Sequence, residues 1–171
     1  SPDGKFIAYS CRKVTGKKYA FSTNTEIYIY NVENGKASLI SNAGGYDTDP
    51  VWSPDGSKIC WVSMERDGYE ADKQRLMVAE LNWNNLDENG CPTASVPVDA
   101  TADFKCNVGG PVWDENCKEI YFASLAEGLQ GIFRAEPSEN GWHITRLTGE
   151  DRWNDFGSPF SVMKTEEGGL E

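Results

Sequence analysis

Apolar residues in this chain come in short runs that are apolar on both sides. In residues 58–63, Ile59 and Trp61 would face one way along an extended backbone, and Cys60 and Val62 the other. A surface hairpin alternates apolar with polar positions, whereas a strand apolar on both faces suits a sheet sandwiched between two others. The run follows a tight turn, Ser53-Pro-Asp-Gly56. There proline presets φ, aspartate bonds back to the backbone, and glycine takes the left-handed conformation.

Turn and strand recur together. Ser53-Pro-Asp-Gly-Ser-Lys-Ile-Cys-Trp61 matches Ser1-Pro-Asp-Gly-Lys-Phe-Ile-Ala-Tyr9 and, in eroded form, Asp114-Glu-Asn-Cys-Lys-Glu-Ile-Tyr-Phe122. Without gaps, Ile7, Ile59 and Ile120 fall in register, as do the aromatics Tyr9, Trp61 and Phe122. Self-similarity at about 40–60 residues points to stacked sheets, and β-propeller blades are the usual all-β form. The predicted fold is therefore all-β: a partial β-propeller of about three four-stranded antiparallel blades, over residues 1–44, 45–104 and 105–154.

Each repeat parses into blade strands. In the second, residues 49–52 predict a short inner strand, 58–63 the second, 75–80 the third and 95–99 the outer edge, where Pro97 is tolerated. Residues 26–31 and 131–135 predict the third strands of the other blades. Asn34-Gly35 and Asn140-Gly141 supply hairpin turns before outer strands at 37–41 and 143–148. At the third turn Cys117 replaces glycine, so that turn must either change geometry or hold a strained residue. Pro159-Phe-Ser161 echoes Pro50-Val-Trp52 and Pro111-Val-Trp113 as the start of a further blade over residues 155–171. An open arc of three blades would leave apolar faces bare at its ends. The expectation is a piece of a longer polypeptide, which alone would cover those faces by self-association.

Composition narrows the partners. The 171 residues carry a formal net charge of −11, which argues against wrapping nucleic acid or lying on anionic lipid. No apolar run reaches the roughly 18–20 residues that span a bilayer. Five cysteines form no metal-binding spacing. Cys60 reads as a small core residue, while Cys91 and Cys106 lie in loop-like sequence and are candidates to pair in an oxidising compartment.

Recognisable catalytic chemistry is missing. The chain has no GxSxG elbow, P-loop or HExxH, and its one histidine, His143, opens a predicted outer strand without a nearby Ser/Asp companion. No catalytic residue, metal or cofactor is assigned. The sharpest feature is the connection from Ser63 to Arg75, far longer than a usual hairpin loop of about 2–5 residues. It packs Glu65, Arg66, Asp67, Tyr69, Glu70, Asp72 and Lys73 around Gly68. Such a loop either binds something or stiffens itself by internal ion pairs. A second insertion, residues 12–19, is locally basic.

These motifs resemble a known group. The Trp-Ser-Pro-Asp-Gly turn at 52–56 is similar to the repeat of TolB-type propellers and of the propellers of prolyl-oligopeptidase-family serine peptidases. Residues 61–75 resemble the long propeller loop of dipeptidyl-peptidase-5-like enzymes, relatives of acylaminoacyl peptidases. Residues 103–113 and 118–124, with the Glu127-Gly128 turn and Arg146-Leu-Thr148, carry the likeness onward. The resemblance implies a two-domain serine exopeptidase. Its propeller would sit over a C-terminal α/β-hydrolase domain carrying the Ser-Asp-His triad, screen peptide substrates by size, and help hold their free N-terminus. It also implies a periplasmic or secreted setting. An α-ammonium in a partly desolvated cleft needs carboxylates within about 4 Å. The candidates are Glu65, Glu70 and Asp72, with Tyr69 as a hydrogen-bonding or cation–π partner. The competing reading is a TolB-like scaffold for protein partners.

Overall fold

The computed structural model describes residues 1–41, 44–148 and 160–163. Its strands form three separate antiparallel sheets in chain order. The first joins β1 (Phe6–Cys11), β2 (Glu26–Asn31) and β3 (Lys36–Leu39) in that order. The second is built from β4 (Tyr46–Trp52), β5 (Lys58–Met64), β6 (Arg75–Leu86) and β7 (Pro92–Ala94), with β8 (Val98–Asp99) also paired to β6. The third places β9 (Gly109–Trp113), β10 (Ile120–Ala126), β11 (Leu129–Ser138) and β12 (Gly141–Arg146) side by side.

The all-β partial propeller stands, with one change in strand plan. Only the third sheet has four strands; the first has three and the second five. The second departs because β6 runs on to Leu86 and folds back as β7. The outer position then falls to β8, whose Val98 and Asp99 pair with Val78 and Met77. Residues 95–97 of the expected edge strand stay outside any ladder. In the region of the further blade, residues 155–159 and 164–171 lie outside the described set, and 160–163 form no strand.

The repeated turn explains how each second strand starts. Ser53 Oγ accepts a hydrogen bond from the Lys58 N–H at 2.9 Å and donates one to Asp55 at 2.7 Å. Asp55 accepts from the Ser57 N–H, and Gly56 sits at φ 72°. Hydrogen bonds from Ser53 and Ser57 hold the Asp55 carboxyl below the ordinary range. Ser1, Asp3 and Gly4 repeat this arrangement. In the third turn Asp114 takes the serine's place and accepts from the Lys118 and Glu119 N–H groups. Cys117 there adopts φ 59°, so the turn keeps its geometry and carries the strain. Its Sγ accepts from the Asp55 N–H at 3.4 Å, and its carbonyl accepts from Lys58 Nζ at 2.9 Å. Successive turns are thereby tied to one another.

Between the sheets lie two apolar layers. Ile59 and Trp61 pack with Ile27 and Ile29 between the first and second sheets. Cys60, on the opposite face of the same strand, packs with Trp113, Ile120 and Phe122 between the second and third. This is the two-faced pattern of the sequence made physical. Cys91 belongs to the first layer and Cys106 packs against the second, so the possible pair does not form and both thiols are free. Ile59 and Ile120 face the preceding sheet and are fully buried; Ile7, in the same register, is 53% exposed.

Large-to-small changes at a well-packed core position cost about 2–5 kcal/mol. Ile59→Ala should therefore lower unfolding stability by about 3 kcal/mol, and Ile7→Ala by less than about 1 kcal/mol. Urea denaturation of the two variants side by side measures the difference.

Candidate functional site

Both long insertions emerge from the same end of their sheets, because each joins the second strand of a blade to the third. The first, between β1 and β2, contains a short 3-10 helix, Gly16–Ala20. The second, between β5 and β6, is stitched to the first by Asp67. Its carboxylate accepts hydrogen bonds from the Thr23 N–H at 2.6 Å, the Asn24 N–H at 3.0 Å and Ser22 Oγ at 2.8 Å. The Gly68 N–H returns one to Thr23 Oγ1 at 2.8 Å. These donors favour the ionised form and hold the Asp67 carboxyl below its ordinary range.

The far end of the loop is anchored on the other side. Lys73 Nζ donates to the carbonyls of Thr101 and Phe104, both at 2.8 Å, and the Gln74 N–H donates to Asn107 Oδ1. Within the loop, Arg66 Nε donates to Asp72 at 3.0 Å, and the Arg66 guanidinium lies 4.0 Å from the Tyr69 ring centroid. Internal pairing has therefore claimed two of the four sequence candidates. The Arg66 hydrogen bond lowers the Asp72 carboxyl, and one face of the exposed Tyr69 ring is taken by the Arg66 guanidinium.

The other two remain available. Glu65 is exposed, with Arg75 at 4.0 Å. Glu70 lines a cleft of about 270 Å³ together with Arg12, Thr23, Tyr46 and Met64. Its carboxylate makes no hydrogen bond or ion pair among the described residues. The four candidates thus do not converge on one point: Glu65 and Asp72 line a depression already filled with the cations Arg66, Lys73 and Arg75, whereas Glu70 reaches a separate cleft at the seam between the first two sheets. Arg12, Thr23 and Tyr46, which complete that cleft, were not singled out from the sequence. Only the packing of one insertion on the other brings them together.

β4 also carries a buried acid that sequence reading passed over. Asp47 is fully buried, and neither carboxylate oxygen has a hydrogen-bond partner of good geometry among the described residues. Burial pushes its carboxyl above the ordinary range, an effect only partly offset by Ser41, Ser63, the Trp61 indole and the Arg75 guanidinium. Among the described residues, no helix is long and apolar enough to cross a membrane.

Two outcomes follow from these acids. A raised folded pKa means that the native state holds the Asp47 proton longer than the unfolded chain does. Stability should then fall as pH rises from the unfolded carboxylate value, about 3.9, through the folded one. Asp47→Asn should remove that decline and melt higher than the parent at pH 7, as read by thermal melts across pH 4–7. Asp67 has the opposite sign: its contribution is complete above about pH 3.9 and is lost as pH falls through its lowered folded value. Asp67→Ala should free the loop at neutral pH, seen as faster trypsin cleavage after Arg66 and Lys73.

No family model matches the chain. It is 43% identical over 153 residues, 89% of its length, to Dipeptidyl-peptidase 5 of Porphyromonas gingivalis. It spans about a fifth of that relative, 19%. Among solved structures, a puromycin-hydrolyzing peptidase of Mycobacterium tuberculosis superposes with a TM-score of 0.59 at 15% identity, covering 99% of this chain and 26% of that one. TolB from Acinetobacter baumannii superposes at 0.57 and 18% identity, covering 98% and 35% respectively. At those identities the two structures speak for the fold alone, and the relative supplies the lineage. With stacked antiparallel sheets of three to five strands, the Ser-Pro-Asp-Gly turns and this likeness in hand, the chain belongs with the β-propeller segments of prolyl-oligopeptidase-family peptidases.

Proposed function

We propose that this chain is a non-catalytic propeller segment of a serine exopeptidase of dipeptidyl or acylaminoacyl type. In this reading it gates substrate access and helps to hold the peptide N-terminus. The observation that carries the reading is the 43% identity to a dipeptidyl peptidase across 89% of the chain. The catalytic triad would lie in a C-terminal α/β-hydrolase domain of the parent polypeptide, and the substrates would be short peptides with a free amine. A periplasmic or secreted setting goes with that substrate supply.

The face-to-face stacking of sheets supports the gating role, since loops at the ends of such sheets would admit an extended peptide more readily than a folded domain. Recognition of the N-terminus is assigned to Glu70. Among the four acidic and aromatic candidates, it is the carboxylate that is both unpaired and seated in a cleft. An α-ammonium drawn beside it forms a charge-assisted hydrogen bond worth about 1.5–3 kcal/mol. Tyr46 adds an aromatic wall, and Arg12 offers a donor for a peptide carbonyl. In the full-length enzyme, Glu70→Gln should raise KM for free-amine dipeptide substrates by about tenfold and leave an N-blocked analogue unchanged. Equal effects on both substrates would remove Glu70 from this role.

A second reading, a TolB-like scaffold that binds protein partners without a catalytic domain, draws on the likeness to TolB. The coding sequence downstream of Glu171 separates the two. An α/β pattern with a GxSxG elbow supports the peptidase; a stop soon after the last blade supports the scaffold.

A further inference from the structure

Away from the long loops, a cavity of about 680 Å³ opens between the segment that leaves the second sheet and the outer end of the third. Its origin is the short outer strand of the second sheet. β8 holds only two residues, so what faces β12 across the gap is the irregular segment 103–106. The walls are apolar and continuous with the core. Phe133 belongs to the second apolar layer, and Phe104, Trp142 and Ile144 pack against it. The Phe104 and Phe133 ring centroids lie 5.2 Å apart.

One charged group is set into these walls. Arg146 on β12 stands directly opposite Phe133 on β11, and its guanidinium lies 5.6 Å from the Phe133 ring centroid. The neighbouring backbone makes room for it. Gly131, two residues before Phe133 and on the same face of β11, is buried. A Cβ at Gly131 would fall 3.2 Å from Arg146 Nε and 2.6 Å from Thr148 Oγ1. Gly131 is absent from the glycines at positive φ, so its backbone does not call for glycine; the space beside Arg146 does. Glycine inside a strand weakens it, and here the fold recovers nothing for that loss. Arg12, Arg66, Arg75 and Arg134 each make a hydrogen bond or an ion pair. Arg146 makes neither among the described residues. Its Nε is enclosed without an acceptor, whereas its two terminal nitrogens are not closed off and the residue lines the cavity.

We propose that this cavity binds a monocarboxylate with an aromatic body, its carboxylate on Arg146 and its ring among Phe104, Phe133 and Trp142. A guanidinium offers two parallel N–H donors that match the two oxygens of a carboxylate. Aromatic walls receive a ring in edge or offset contacts, and the volume is that of an ordinary small-ligand site. The mouth narrows the charge. Asp103 and Glu127 are exposed there beside Lys105 and His143. Beyond Arg146, a phosphate or a dicarboxylate would meet two acids for one lysine, while a single carboxylate needs Arg146 alone. The inference stands on the cavity, the glycine seat and the unpaired guanidinium, and is independent of Glu70 and of the exopeptidase reading.

The test uses the full-length protein with 3-phenylpropionate, and 3-phenylpropionamide as the same body without the charge. Titration calorimetry compares the parent with Arg146→Gln and with Arg146→Met, which keeps an apolar stem. The parent should bind the acid at least tenfold more tightly than the amide, and both variants should lose that difference. Because Arg146 has no polar partner in the fold, both should melt at the parent's temperature or above. The free Cys106 thiol on the cavity wall reports the location. In the parent, the acid and not the amide should slow its alkylation by iodoacetamide, read by peptide mass mapping. An acetylated tripeptide ending in a free-carboxyl phenylalanine separates two sources of this chemistry. If it competes with 3-phenylpropionate, the site takes peptide carboxyl termini; if it does not, the site takes free acids. Equal affinity of the parent for acid and amide, or no saturable binding of the acid, would overturn the proposal. So would an unchanged preference in both variants, an unprotected Cys106, or melting of both variants several degrees below the parent.

Discussion

Face-to-face burial between sheets is the constraint from which everything else in this molecule follows. A single blade is one sheet thick and apolar on both sides, so it cannot shelter its own residues from water. Ile59 and Trp61 are covered only because Ile27 and Ile29 of the first sheet lie against them. Cys60 is covered only because Trp113, Ile120 and Phe122 of the third do the same on the other side. Each such side chain contributes about 1.5–3 kcal/mol when removed from water, and it contributes this only in the presence of a neighbour. The exposure of Ile7, whose register mates are fully buried, is the same rule seen where no described sheet lies on that face.

Once stacking is imposed, polar groups have to align the sheets. They do so at both ends. At one end the repeated turns touch in sequence, with Lys58 and the Asp55 N–H reaching the Cys117 carbonyl and sulfur. At the other end, Asp67 gathers donors from the preceding blade, and Lys73 reaches the carbonyls before the next. The long loop of the second blade is therefore a brace across three sheets as well as a wall of the Glu70 cleft. That double duty explains why most of its charges are already satisfied. The Arg66–Asp72 pair, whose guanidinium is exposed, lies within one loop and stiffens that loop more than it stabilises the fold.

The placement of the free acids gives the molecule its chemical character. Asp67 and Asp72 are held ionised by donors and Asp47 is buried, whereas Glu70 lines a cleft unpaired among the described residues. That cleft lies at the seam between the first two sheets. In the proposed reading, that unspent carboxylate suits the cationic terminus of a peptide.

The sequence by itself determined the blade repeat, the Ser-Pro-Asp-Gly turns and the two-faced second strands, because these depend on local backbone preference and on periodicity along one strand; it left open whether the third turn would change geometry or hold Cys117 at positive φ. It also marked residues 63–75 as the unusual connection. It was silent on which charges in that loop would pair, on the β6–β7 excursion beyond Glu80, and on the separation of Cys91 from Cys106. It was silent too on the cleft that joins Glu70 to Arg12, Thr23 and Tyr46. Those were decided by tertiary structure, since each depends on which groups from distant parts of the chain meet when the sheets stack.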